Sequence, residues 1–196
     1  RGFWYEIASI TDSATVVLTK PFLEESIVAG DAHPTRISTL VRSATVEEIK
    51  VQNSNASEAQ IVVREGQFVK LESVVSTSGN GTTTDGFDIG FTSLSQYINC
   101  TADDNGDEGW IINDNFFSIF RNCHAINNVG DGFQTSNAAT FSAHQIFERC
   151  ISRGNSLGFD ISDGIYNLYA CNAEENDDTG IRVGASARAI LNGCIA

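Results

Sequence analysis

The sequence predicts an all-β solenoid, short strands and turns wound into stacked coils. Three observations carry this. The cysteines stand at 100, 123, 150, 171 and 194, in steps of 23, 27, 21 and 23, and internal periods in this range mark solenoids. Each repeat then carries the same residues at the same offsets. Asn follows Cys by five positions (Asn105, Asn128, Asn155, Asn176), and Gly109, Gly132, Gly158 and Gly180 are each followed by an apolar residue, Trp110, Phe133, Phe159 and Ile181. Finally, "GFQT", "GFDI" and "GIRV" alternate with the two-residue period of a strand that has one face in and one out. No helical period survives across a repeat, and so short a repeat leaves no room for a strand, a full helix and two turns.

The elements follow in order. Residues 1–45 differ from the rest: "FWYEIASITDSATVVLT" alternates on both sides of the turn "TDSA", which predicts a β-hairpin. This divides the chain into an N-terminal β segment or linker, 1–45, and a solenoid, 46–196. Upstream coils are fainter. Leu71, Val74 and Ser76 take the apolar, Cys and Ala positions, "DGFDI" at 85–89 supplies a Gly and a strand, and Ile49, one such step before Leu71, suggests a further coil. In the clear repeats an apolar residue precedes each Cys by three (Tyr97, Phe120, Phe147, Leu168, Leu191), and Ala102, Ala125, Ser152, Ala173 or Ala196 follows it by two.

Coils stacked at about 4.8 Å put matching residues in columns. Cys should fill a narrow inward position. Asn at a turn can take the left-handed conformation and bond the next Asn in its column, and Gly permits a tight bend before the next strand. The longest repeat carries a short insertion, a surface loop within "SNAATFSAH". The repeat breaks off in mid-coil at Ala196, so further chain or a partner is expected over the last apolar layer.

Composition narrows the function. A net charge of −13 argues against nucleic acid, whose phosphates need clustered Lys and Arg. No apolar run reaches membrane-spanning length, and Arg1 to Ile10 lack the zones of a signal peptide. Five cysteines without a CxxC pair fit neither a zinc site nor a complete disulfide framework. Free thiols suit a protein made in a reducing cytoplasm.

The pattern apolar-x-x-Cys-x-Ala-x-x-Asn-x-x-x-Gly-apolar-x-apolar resembles the right-handed parallel β-helix of the pectate-lyase-like superfamily, strongly over residues 95–196. The stretch around "TDSA" resembles linker modules that precede β-helices in bacteriophage tail and virion proteins. The resemblance implies a virion tailspike or fibre, homotrimeric, that binds a cell-surface polysaccharide and, if an enzyme, depolymerises it. The virion tail or the extracellular space is the implied location. A free polysaccharide lyase, hydrolase or epimerase is the alternative, as is a non-catalytic stalk or adhesin, because this fold hosts many functions.

In Gly-apolar-x-apolar the middle residue points out, giving the column Asp88, Ile111, Gln134, Asp160 and Arg182. Asp160 and Arg182 on adjacent coils form, on the plainer reading, a surface ion pair worth less than about 1 kcal/mol. On the functional reading they line a saccharide groove. Asp160 and Asp163 would then be the two carboxyl groups that glycoside hydrolysis needs, and Asp88, Gln134, Arg182 and His144 would bind substrate. Asp160 is expected to face water, so Asp160→Asn should leave stability almost unchanged. The acidic turns "DDNGDEG" and "EENDDTG" read as solvated edges. Asp103, Asn105 and Asp107 have the alternation that opens a calcium loop, although Glu108 stands where that loop needs Gly; no other cofactor is expected. Phe116 and Phe117 suit core packing, or one exposed ring able to stack on a sugar. His124, next to Cys123, should point outward.

Overall fold

A computed structural model describes residues 45–52, 59–78, 82–136 and 144–196, with the backbone of 7–12, 15–18 and 35–37. These residues form strands and turns, with no helix among them. Strands β1 (Ile7–Asp12) and β2 (Thr15–Leu18) pair antiparallel, as the alternation around "TDSA" predicts.

The solenoid then runs coil by coil. The first coil holds β3 (Thr35–Ile37), β4 (Thr45–Glu47) and β5 (Lys50–Gln52), and the second β6 (Ile61–Arg64), β7 (Lys70–Glu72) and β8 (Val75–Thr77). The third holds β9 (Phe87–Gly90), β10 (Gln96–Ile98) and β11 (Thr101–Asp103), and the fourth β12 (Trp110–Asn113), β13 (Ile119–Arg121) and β14 (His124–Ile126). The fifth holds β15 (Phe133–Ser136), β16 (His144–Glu148) and β17 (Ile151–Arg153). In the last coils two strands merge into one, giving β18 (Phe159–Tyr169), β19 (Asn172–Glu174) and β20 (Ile181–Asn192). Every pairing between coils is parallel, and the strands build three faces. Face A runs from β3 through β15, face B from β4 through β16, and face C from β5 to β19; β18 and β20 bridge A and B.

The interior columns are those the repeat predicts. Cys100, Cys123, Cys150 and Cys171 are fully buried in one inward column, and Cys194 is partly covered at its end. The thiols also have hydrogen-bonding work. Cys123, Cys150, Cys171 and Cys194 donate to the carbonyl oxygens of Tyr97, Phe120, Phe147 and Leu168, each one coil back. Alanine would leave those carbonyls without the contact, which explains why the column holds Cys. Two aromatic stacks fill the remaining space, Phe87–Trp110–Phe133–Phe159 and Tyr97–Phe120–Phe147–Tyr166.

Two of the expected reasons for the repeat need correction. The ladder asparagines bond one another, with Asn105 Nδ2 donating to Asn128 Oδ1 at 2.8 Å and Asn128 Nδ2 to Asn155 Oδ1 at 2.9 Å. The left-handed residue, however, is the one before each: Asp104, Asn127, Gly154 and Glu175. The bend therefore precedes the Asn, whose side chain turns inward to bind the next coil. The glycines before face A do not have positive φ either. A Cβ on Gly109 would lie 2.7 Å from the Gly132 carbonyl oxygen and 2.8 Å from Asn128 Nδ2, so close packing between coils demands Gly. A third correction concerns register. Val46, not Ile49, lies against Leu71, and Ile49 precedes Lys50, which pairs with Val75, so Ile49 belongs beneath Val74 in the Cys column.

Candidate functional site

Face A carries the outward column in the predicted register, with Asp88 beside Ile111, Ile111 beside Gln134, Gln134 beside Asp160 and Asp160 beside Arg182. The acids in it are largely neutralised. Arg182 grips Asp160 with two hydrogen bonds, Nε to Oδ1 at 2.9 Å and Nη2 to Oδ2 at 2.7 Å, and Ser162 Oγ donates to the same carboxylate at 3.2 Å. Asp160 is only 4% exposed, which overturns the expectation that it faces water. The arginine lies over it, and Asp160→Asn would weaken a closed, charge-assisted pair. Arg64 Nη2 pairs with Oδ2 of Asp88, whose Oδ1 is buried without a hydrogen-bond partner among the described residues. Asp163 follows a register shift in β18 and accepts the Gly164 N–H at 2.7 Å. Asp160 and Asp163 are thus each held by partners of their own.

A second group of acids lies one turn earlier, where face C bends into face A. The residue before each of the face-A glycines is Asp85, Glu108, Asp131, Leu157 and Thr179 in successive coils. One oxygen each from Asp85, Asp107 and Glu108 lies within 4.8 Å of the others. Burial, and then the hydrogen bond shared with Asp85, push Glu108 up to about 8, and burial raises Asp85 to about 6. Two half-buried carboxyls this close cannot both ionise easily, so a proton stays between them. Gln134 Nε2 donates to Glu108 Oε1 at 3.0 Å, tying the pair to the outward column. Asp131, also raised by burial, interacts with Gln134, Asp160 and Arg182. Asp85, Glu108, Gln134, Asp131, Asp160 and Arg182 therefore form one polar row across adjacent coils.

The calcium-like alternation at Asp103–Asp107 does not assemble, because Asn105 is buried in the ladder and accepts Ser76 Oγ at 3.3 Å. Asp107 instead joins Asp85 and Glu108. Three oxygens fall short of the six to eight, or about that, which Ca²⁺ takes.

A family model described as "Right handed beta helix region" matches residues 37–196. The chain belongs to the right-handed β-helix family. No curated protein and no solved structure matches it. A right-handed β-helix is compatible with polysaccharide binding and with a structural role.

Elsewhere on this β-helix, His124 is half-buried and its carbonyl oxygen accepts the Trp110 indole N–H at 3.1 Å. His144 is exposed, at hydrogen-bonding distance from Asn167 Nδ2 (3.3 Å) and 6.1 Å from the Phe117 ring. It lies on the corner between faces A and B, away from the outward column it was grouped with. Residues 137–143 of the predicted surface loop lie outside the described residues. Phe117 is 61% exposed, so of the two readings of Phe116–Phe117 the exposed ring holds for Phe117. Asp85 and Glu108 escaped sequence reasoning because their turns look like ordinary solvated acids. The signal was present in the column before each Gly, acidic in three successive coils.

Proposed function

We propose that this β-helix is a virion tailspike-like protein that binds a cell-surface polysaccharide along face A and hydrolyses it. One observation carries the reading: Glu108 and Asp85 are half-buried carboxyls held close together, which favours one proton kept on the pair, at the end of a polar row rigid enough to grip an extended chain of hydroxyls. Glu108 then acts as the acid and protonates the leaving glycosidic oxygen as the C–O bond breaks. Asp85, ionised above about 6, stabilises the positive charge that develops at the anomeric carbon. Water adds its hydroxyl there and returns a proton to Glu108. Arg182, exposed over half its side chain, is placed to meet an acidic sugar. Asp160, being engaged, becomes a support for Arg182. A homotrimeric virion fibre fits a solenoid that presents one face to a long polymer.

The test is polymer length, followed by size-exclusion chromatography across a panel of bacterial surface polysaccharides. Wild type should shorten at least one of them. Glu108→Gln should lower that rate at least a hundredfold, the usual scale of a lost general acid, with the fold unchanged by circular dichroism. Equal rates in wild type and Glu108→Gln would remove Glu108 from the chemistry. No shortening of any polymer would favour the non-catalytic stalk.

A further inference from the structure

The turns that carry the acids of the polar row are stacked on fixed backbone, one coil apart. Gly130 N–H donates to the Asp107 carbonyl oxygen at 2.9 Å, and Gly109 N–H donates to the Asp131 carbonyl oxygen at 2.8 Å. A Cβ on Gly130 would lie 2.9 Å from Asp107 Oδ1 and 3.0 Å from the Glu108 nitrogen, so one turn sits directly on the other. Glu108 N–H donates in its turn to Asp85 Oδ1 at 3.2 Å. The backbone thus fixes Glu108 and Asp131 on successive coils, and one side chain joins them: Gln134, half-buried on β15.

Gln134 Nε2 donates to Glu108 Oε1 at 3.0 Å, and Asp131 interacts with the same side chain. Between two acids the nitrogen end of the amide, which can only donate, is the end that fits. A neutral carboxyl accepts at its carbonyl oxygen and donates from its hydroxyl. With Oε1 occupied by an N–H donor, the proton of the Asp85–Glu108 pair is left to Glu108 Oε2 or to Asp85. The neighbours of Gln134 in the outward column cannot take its place. Ile111 has no polar group, and Asp160 is gripped by Arg182. The acids that face Glu108 are Asp85 and Asp107. Asp131, Asp160 and Arg182 stand beyond Gln134, and Arg64 is paired with Asp88.

We propose that Gln134 is a positioning residue for Glu108: its amide holds Oε1 as an acceptor and leaves Oε2 as the oxygen that carries the acidic proton. This role rests on the reading of Glu108 as the acid, and it differs from the substrate contact that the outward column suggests for Gln134. An N–H donor favours the ionised over the neutral carboxyl. Gln134 therefore also limits how firmly the proton is kept, and an acid that never released it could not protonate a leaving group.

Carbon-13 NMR of the Glu108 side-chain carboxyl in the full chain, beside the rate of polymer shortening followed against pH, tests this. Gln134→Met keeps the length of the side chain and removes the donor. The Glu108 midpoint should then rise by about one pH unit, the scale of one hydrogen bond to a charged group, with the fold unchanged by circular dichroism. Gln134→Lys keeps a donor and adds a charge, so the midpoint should fall below that of wild type. Where wild type shortens a polymer, the alkaline limb of the pH–rate profile should move with the midpoint in each variant. Gln134→Met should also lower kcat more than it changes KM. A midpoint unmoved by Gln134→Met overturns the proposal. A midpoint raised by Met and Lys alike reduces both to a packing effect and overturns it too. A raised KM at unchanged kcat and unchanged pH profile makes Gln134 a substrate contact instead. Midpoint shifts of opposite sign without any polymer shortening support the hold on Oε1 and remove the catalytic part of the proposed function.

Discussion

At the scale of the residue, the repeat is held by small groups that each satisfy a neighbour one coil away. Asn128 shows how much one side chain can do. Its Oδ1 accepts both the backbone N–H and the amide of Asn105, and its Nδ2 donates to Ala102 O and Asn155 Oδ1. Alanine there would orphan a buried backbone N–H and an amide in the coil below, which costs more than the bonds themselves contribute. Asn128→Ala is expected to lower stability by about 1–3 kcal/mol, measured by urea unfolding with an unchanged m-value. Cys, Asn and Gly were legible in the sequence as columns because columns are a matter of spacing. Their reasons were less legible. Gly109 is fixed by a neighbouring coil's carbonyl and Asn128, a contact made across a whole repeat of sequence that only the stacked geometry discloses.

At the scale of the element, each solenoid strand is three to five residues long until the last coils merge, and bends in the left-handed conformation separate them. One such column is Glu48, Ser73, Asn99, Asn122, Arg149 and Ala170, closed by Gly193. These residues share no side-chain type, so composition could not have announced the bend. Their offset, one before Cys, could have. The same limit hid Phe68 and Leu94, both exposed at a corner, since apolar residues there resemble core until their direction is known. The Cys column makes a prediction at this level. Strands of the next coil seal four thiols completely, and Cys194 is only partly covered. A thiol-reactive dye should therefore leave Cys100, Cys123, Cys150 and Cys171 unlabelled in the native protein and reach them only on unfolding. Rapid labelling of several thiols in the folded protein would mean that the coils are not stacked as described.

At the scale of the whole molecule, a stiff stack of coils holds acids at fixed separations that a flexible chain would relax, and pH is its natural probe. Glu108 and Asp85 bind their protons more tightly when folded than their ordinary values of 4.5 and 3.8. The stability they contribute is therefore fully present below those values and is lost as pH rises through about 6 for Asp85 and about 8 for Glu108. Tm should fall across that window, and Glu108→Gln should flatten the fall, as read by thermal melts at a series of pH values. The central claim is narrower: Glu108 keeps its proton at neutral pH because burial and Asp85 hold it there. Carbon-13 NMR of the Glu108 side-chain carboxyl, assigned by its loss in Glu108→Gln, measures this directly. A midpoint near about 8, moving down in Asp85→Asn, is the predicted result. A midpoint in the ordinary range of a solvated glutamate, unmoved by Asp85→Asn, would contradict it.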